Sequence, residues 1–324
     1  MDFRLTEDQQ ALQAGIRSFC DDRYAFERMA ELEKAPLERE RWRELAEMGV
    51  FSLRLPESEG GVGLGWAETV LVFAELGRRV VPGPLLWSHL CAGLVPGAAA
   101  GETVVGGLDH TRASSDPVVV EYADGLDALI VLARDGVHRI DARKLAGRPI
   151  GVPLDPLTPL THVPELPAGE RIGGPDRVDR LRLEAACLVS ALCLGIAEMT
   201  TELAVEYAKK REQFDRPIAS FQAIKHFAAD MYVRQEMARA VVYAAGATHD
   251  DPSVGDVARA VASARVVAGE AAMKNARMCI QIHGGMGYTW ELPPHFYLKR
   301  VFVLENAFGT GDEHSETVSE RIDA

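Results

Sequence analysis

Two short polar segments in this sequence carry side chains suited to holding a phosphorylated ligand. The first runs Arg211-Glu212-Gln213-Phe214-Asp215-Arg216-Pro217-Ile218 and continues as Ser220-Phe221-Gln222-Ala223-Ile224-Lys225. A helix should end in this Pro-containing turn and a new one start at Ser220. The planar guanidinium of Arg211, beside such a turn, matches two phosphate oxygens at once and so suits a diphosphate. Gln213 and Gln222 add neutral donors and acceptors close by. The second segment is Gln281-Ile282-His283-Gly284-Gly285-Met286-Gly287-Tyr288-Thr289. Its adjacent glycines, Gly284 and Gly285, let backbone N–H groups come close to a ligand. On spacing alone, plainer roles stay open: a solvated helix terminus for the first segment, a helix C-cap and tight turn for the second.

Other chemically interesting residues read as structural. Cys279 and His283 lie four residues apart, but no second Cys or His pair completes a four-ligand zinc site, so no metal centre is expected. His283 by itself is a satisfied core histidine. Five cysteines without a CxxC pair read as buried thiols in a reducing cytoplasm. Gly60, Gly61, Gly63 and Gly65 superficially look like a dinucleotide fingerprint. They follow the loop Pro56-Glu57-Ser58-Glu59 rather than a strand, which excludes a Rossmann reading.

The elements that must position these segments fall into three zones. Residues 1–102 are mainly helical: Leu5, Leu12, Ile16 and Phe19 recur at helical spacing, and Thr6 with Asp8 and Gln9 suits a helix start. Trp42, Leu45 and Met48 carry a second amphipathic stretch that stops at Gly49, and a further helix follows the loop Pro56–Gly65 and runs through Gly77. Residues 103–174 hold short β-rich runs, Pro117-Val118-Val119-Val120 and Ala128-Leu129-Ile130-Val131-Leu132, which predict a small antiparallel unit. The Pro- and Gly-rich stretch from Gly147 to Gly174 reads as irregular edge structure leading to a linker. Residues 175–324 return to long helices. Leu181, Leu188, Leu192, Ile196, Met199, Leu203 and Tyr207 draw one apolar stripe, and Phe221, Ile224, Ala228, Met231, Ala238 and Val241 draw the next. Both stripes are core packing, and the fold class is mainly α, with a small β-domain and a C-terminal helical bundle.

At 324 residues the chain has room for two or three domains. Its 47% hydrophobic and 26% charged residues are those of a globular protein, and a formal net charge of -13 argues against binding nucleic acid or an anionic membrane surface. No continuous apolar run reaches the roughly 18 residues of a membrane span. The opening Met1-Asp2-Phe3-Arg4 has no signal-peptide core. A cytoplasmic location is expected.

Taken together, these segments resemble the acyl-CoA dehydrogenase family. Asp2-Phe3 with Leu5-Thr6-Glu7-Asp8-Gln9 is similar to its first helix. Leu45-Ala46-Glu47-Met48-Gly49, Leu55-Pro56-Glu57, Gly60-Gly61-Val62-Gly63-Leu64 and Glu75-Leu76-Gly77 resemble its N-terminal domain. The Arg211 segment is similar to an R-x-Q-F-G turn followed by F-Q, with Asp215 in place of the turn glycine. The Gln281 segment is similar to a Q-x-x-G-G-x-G-Y element, with Glu291 and Pro293 following. The resemblance implies a helical domain at 1–102, a reduced middle β-domain at 103–174 and a four-helix bundle at 175–324. It implies α,β-dehydrogenation of a CoA thioester with FAD bound across a subunit interface and an electron-transfer flavoprotein as acceptor. Carried over, Arg211, Gln213 and Phe214 contact the diphosphate and adenosine portions of a neighbour's FAD, with Phe221 and Gln222 nearby. Gln281, Gly284 and Gly285 contact the adenosine end.

The sequence departs from the family where the chemistry is done. The family's catalytic carboxylate sits in a Tyr-Glu-Gly-Thr element, and the ungapped count from Gln281 lands on Ala307-Phe308-Gly309-Thr310, with Phe308 in the glutamate's place. Relatives with a base in the first bundle helix would put it at Ala185. Glu184, the neighbour, is turned by about 100° and would point elsewhere. Asp312 and Glu313 read as a solvated terminal turn. Ser114-Ser115-Asp116 lacks the pattern around the family's flavin-covering element and reads as a loop. No catalytic base is therefore expected in this chain. The resemblance then implies the short subunit of an α2β2 heteromer with a full-length paralogue, as in actinobacterial steroid degradation. The alternatives are a self-sufficient homo-oligomer using Glu184 and a non-catalytic scaffold.

Overall fold

The computed structural model describes residues 4–112 and 118–322, so Asp2-Phe3, Ser114-Ser115-Asp116 and Pro117 lie outside the described residues. In chain order the elements are helices α1 (Glu7–Arg23), α2 (Met29–Lys34), α3 (Arg39–Glu47), α4 (Trp66–Arg78) and α5 (Leu85–Leu90), then strands β1 (Val105–Asp109), β2 (Val118–Glu121), β3 (Ala128–Ala133), β4 (Gly136–Asp141), β5 (Arg148–Pro149), β6 (Leu160–Val163) and β7 (Glu170–Gly173). There follow α6 (Pro175–Lys210), the short strands β8 (Glu212–Gln213) and β9 (Arg216–Pro217), α7 (Gln222–Asp250), α8 (Val257–His283), α9 (Pro294–Leu304) and α10 (Gly311–Glu320). The chain divides into two compact units. The first holds Met1–Phe26, Trp66–Val81 and Ala186–Ala324; the second holds Glu27–Gly65 and Pro82–Ala185.

In the first unit, α1 starts as the sequence predicts. Thr6 and Gln9 form a reciprocal capping box, satisfying two N–H groups that a helix start leaves unpaired. α4 is buried from Thr69 to Gly77, and the one charge in that run, Glu75, is 1% exposed. Arg17 Nε and Nη2 donate to its two oxygens at 2.9 and 2.7 Å, which satisfies the carboxylate that burial strips of water. The N-terminus of α4 is capped from far along the chain: Trp66 and Ala67 N–H donate to the Asp250 carboxylate at 2.7 and 2.8 Å. α4 and α6 touch backbone to backbone at a pair of glycines. A Cβ on Gly195 would lie 1.9 Å from Ala74 O, and one on Gly77 would lie 2.2 Å from Leu192 O. α6 is long and apolar enough to cross a bilayer, although charged residues interrupt it. Of its most apolar window, 89% is buried inside the protein, so it is a core helix.

In the second unit the strands form two sheets, ordered β1-β3-β4-β7 and β2-β6-β5. All pairs are antiparallel except β1 and β3, which run parallel, so the expected purely antiparallel unit is corrected. A parallel pair needs a crossover, and here the chain between β1 and β3 supplies it while depositing β2 in the other sheet. The stretch from Gly147 to Gly174 is not irregular throughout but contains β5, β6 and β7. Met48 is 37% exposed, so the stripe of α3 ends with Leu45. The Gly60–Gly65 loop folds back on its own stem: Gly63 N–H donates to Leu55 O, and a Cβ on Gly61 would lie 2.1 Å from that same oxygen.

His89, buried in this unit, bonds Val50 O through Nδ1 at 2.9 Å. Burial pushes its pKa down to about 4 from 6.5. The unfolded chain therefore takes up a proton below pH 6.5 that the folded chain refuses, and stability falls between pH 6.5 and about 4. Urea titrations of wild type and His89→Gln across that window should differ in slope. The wild type should lose about 3 kcal/mol more than the variant on acidification. Parallel slopes would show that His89 does not govern the acid limb.

Candidate functional site

The structure brings the two polar segments to the same end of the first unit. The last turns of α6, the start of α7 and the end of α8 share an apolar cluster of Ala204, Ala208, Met231, Cys279 and Ile282. Above it Tyr207 stacks on His283 with ring centroids 4.1 Å apart. His283 Nδ1 bonds Cys279 O at 2.7 Å, and desolvation lowers its pKa, so this histidine is a neutral packing group.

The Arg211 segment is a two-residue hairpin. β8 and β9 pair Gln213 with Arg216, and the loop residues Phe214 and Asp215 both have left-handed backbones, with φ of 55° and 58°. Asp tolerates that region well, which explains how it stands where the resembling motif has glycine. Phe214 is 86% exposed and meets Phe221 edge-on at 6.1 Å, while the Arg216 guanidinium stacks over Phe221 at 4.1 Å. Gln213 Nε2 donates to Glu212 O at 2.8 Å. Arg211, Gln213 and Gln222 are exposed and Phe221 is half-buried. Among the described residues no carboxylate lies within ion-pair distance of Arg211.

The Gln281 segment ends α8 in a tight 3-10 turn, Gly284–Tyr288. Gly284 has φ 61° and ψ -142°, close to a region that only glycine occupies readily. A Cβ at Gly285 would meet nothing within 4 Å, whereas one at Gly287 would press on Ile280 O at 2.8 Å. Packing within the chain thus accounts for Gly287 but not for Gly285, beside which the backbone is open to close approach. Gln281, Gly284 and Gly285 are exposed. Both turns therefore face outward, with an unpaired guanidinium on one and bare backbone on the other. That combination fits the diphosphate and adenosine portions of a dinucleotide approaching from outside.

Sequence reading assigned no role to two features nearby. Tyr288 and Trp290 are 71% and 61% exposed, with Lys299 Nζ 4.3 Å from the Trp290 ring. Tyr232, Val233 and Met237 of α7 are each more than half exposed and form an apolar face. The aromatics were visible as large residues in a polar turn. The α7 face was not, because the stripe drawn on that helix followed its buried side.

Phe308 is half-buried and has a left-handed backbone, φ 57°, which is rare for a bulky side chain. The segment around it is held by Arg265, which is 4% exposed. Its Nη2 lies 3.2 to 3.5 Å from the carbonyl oxygens of Leu304, Glu305, Ala307 and Gly309. Asp312 and Glu313 open α10, where Glu313 completes a capping box with Thr310. In the second unit Ala185 is fully buried, and Glu184 turns toward a cavity with Arg54 Nη1 3.6 Å away. The sequence reading turned Glu184 away from a base position at Ala185; here Ala185 is buried and Glu184 lines the open space. Burial raises the Glu184 pKa, opposed by Arg54 and Arg180.

Comparison with known proteins agrees with this architecture. Residues 6–101 match the acyl-CoA dehydrogenase N-terminal domain, and residues 179–322 match the acyl-CoA dehydrogenase C-terminal domain. The chain is 37% identical over 266 residues to acyl-CoA dehydrogenase IpdE2 of Mycobacterium tuberculosis, covering 80% of this chain and 79% of that one. It is 30% identical to acyl-CoA dehydrogenase FadE27 of the same organism over 95% of both chains. A solved structure of the ChsE4-ChsE5 complex from Mycobacterium tuberculosis superposes with a TM-score of 0.86 at 26% identity, covering 100% of this chain and 99% of that one. The shared fold extends to butyryl-CoA dehydrogenase from Megasphaera elsdenii, with a TM-score of 0.84 at 21% identity and full coverage of both chains. With a relative this similar along most of both chains, the protein belongs to the acyl-CoA dehydrogenase family, oxidoreductases acting on the CH–CH bond of an acyl-CoA.

Proposed function

We propose that this chain is the short subunit of a heteromeric, FAD-dependent acyl-CoA dehydrogenase, lending flavin-binding residues to a full-length paralogue that supplies the catalytic glutamate. The observation that carries the reading is Phe308, a side chain with no ionisable group at the position of the family's base. Removal of the α-proton needs a base within hydrogen-bond reach, and phenylalanine offers none. The exposed ends of the bundle support the rest. Arg211 pairs with the diphosphate, Gln213, Phe214, Phe221 and Gln222 flank it, and Gln281, Gly284 and Gly285 close on the adenosine end. Bound FAD would supply the acceptor for the β-hydrogen, and Arg211, Gln213, Phe214, Phe221, Gln222, Gln281, Gly284 and Gly285 would hold and orient it.

The domains run 1–102, 103–174 and 175–324, and the assembly is α2β2. The apolar α7 face of Tyr232, Val233 and Met237 supports a partner docked there. The ChsE4-ChsE5 complex supports a two-chain assembly, and the Tcur3481-Tcur3483 steroid acyl-CoA dehydrogenase supports a bulky, steroid-derived CoA thioester as substrate. The acceptor is an electron-transfer flavoprotein, and the setting is cytoplasmic.

Arg211→Ala tests the cofactor role. Charge-assisted hydrogen bonds to phosphate are worth about 1.5–3 kcal/mol, so flavin affinity of the purified complex should fall by about tenfold or more. The ratio of flavin absorbance to protein after gel filtration reads it directly. An unchanged ratio would favour a scaffold that binds no flavin. The pocket position of Glu184 favours a second reading, a self-sufficient homo-oligomer using that carboxylate; yellow, active material from this chain alone that loses turnover on Glu184→Gln would establish it.

A further inference from the structure

We propose that the cavity lined by Arg54, Arg177, Arg180 and Glu184 in the second unit is a binding site for a carboxylate carried on an apolar frame. The cavity measures about 260 Å³. Phe51, Leu55 and Leu181 give it apolar walls, and its charged groups come from two stretches of chain far apart in sequence. Three guanidinium charges less the one carboxylate of Glu184 leave a local charge of +2. His89, with its pKa near 4, adds none at neutral pH.

Glu184 pairs with Arg54 alone among the three arginines. Its Oε1 stands 3.6 Å from Arg54 Nη1, longer than a good hydrogen bond. Among the described residues Arg177 and Arg180 have no carboxylate within ion-pair distance. Arg177 sits in the first turn of α6, where the helix dipole adds further positive potential. Positive forks above apolar walls recognise a carboxylate by bidentate pairing and its skeleton by burial. The Glu184 carboxyl discriminates by charge, since it repels a dianionic phosphate more than a singly charged acid. Such an acid has two sources: a free carboxylic acid, or the far end of a dicarboxylic acyl group on CoA.

Isothermal titration of the purified protein, with any companion chain it brings, tests the site with cyclohexanecarboxylate as probe. This measurement needs neither flavin nor turnover, so it stands or falls separately from the dehydrogenase reading. Saturable binding of the acid is expected, and none of the neutral cyclohexanecarboxamide. Arg177→Ala and Arg180→Ala should each weaken the acid by about tenfold, the range for a lost hydrogen bond to a charged group. Arg180→Lys should cost less, because the charge stays while the fork is lost. Glu184→Gln should act in the opposite direction and tighten binding by roughly threefold or more, because a like charge is removed. A merely structural role for these residues moves no affinity upward.

Adipoyl-CoA displacing the probe while hexanoyl-CoA does not would assign the acid to an acyl group. Displacement by neither would assign it to a free acid. No binding at millimolar acid, equal binding of the amide, weakening by Glu184→Gln, or equal displacement by inorganic phosphate or hexanoyl-CoA would overturn the proposal.

Discussion

Purified without a companion polypeptide, this chain is expected to oxidise no acyl-CoA thioester, and co-expression with a full-length paralogue should restore turnover. General base catalysis contributes about 10²- to 10⁴-fold, so the difference should reach about a thousandfold in a dye-reduction assay. Within the complex, replacing the paralogue's catalytic glutamate by glutamine should abolish turnover to the same extent, while Phe308→Leu in this chain should change kcat by less than about threefold, because a residue that cannot take a proton contributes none of that factor. Flavin counting gives an independent reading: the proposed arrangement requires both chains for each tightly held flavin. Turnover by the isolated chain with a flavin of its own would end this account.

The second large effect concerns folding. Gly195 and Gly77 let α4 and α6 meet backbone to backbone, and a methyl group on Gly195 would sit 1.9 Å from Ala74 O. Backbone cannot rotate away as a flexible side chain can, so Gly195→Ala must separate two helices that line the core of the first unit. Overpacking costs about 1–3 kcal/mol, and against rigid backbone the upper end is expected, so the urea midpoint should fall accordingly. Gly285→Ala serves as the control, because its Cβ would meet nothing within 4 Å. Its stability should match wild type. Equal stability of Gly195→Ala and wild type would mean the helices tolerate separation.

What could be read from the sequence follows the range of the interactions involved. The start of α1 was legible because a capping box is a four-residue rule, and Thr6 with Gln9 satisfies it locally. The α6 stripe was legible because periodicity reports burial of one face. The parallel pairing of β1 with β3 was not, since a strand's alternation is the same whichever way its partner runs. The β5–β7 strands hid behind Pro and Gly because their pairing, not their composition, defines them. At the candidate site the chemistry of the Arg211 and Gln281 turns lay in contiguous residues. Their placement at one end of the first unit depends on Tyr207 meeting His283 across 76 positions of chain. The arginine cavity was wholly out of reach, because Arg54 lies more than 120 positions from Arg177. The cavity position of Glu184 was out of reach for a related reason: helical geometry gives the angle between it and Ala185 but not which of them faces open space.

The grip of Arg265 on the peptide oxygens around Phe308 holds that stretch of main chain by groups every amino acid possesses. Exchange of the side chain at 308 therefore leaves the loop's path in place, whichever residue stands there. The backbone there is thus anchored independently of its side chain, so a carboxylate placed at 308 by substitution would be carried on the same main-chain path.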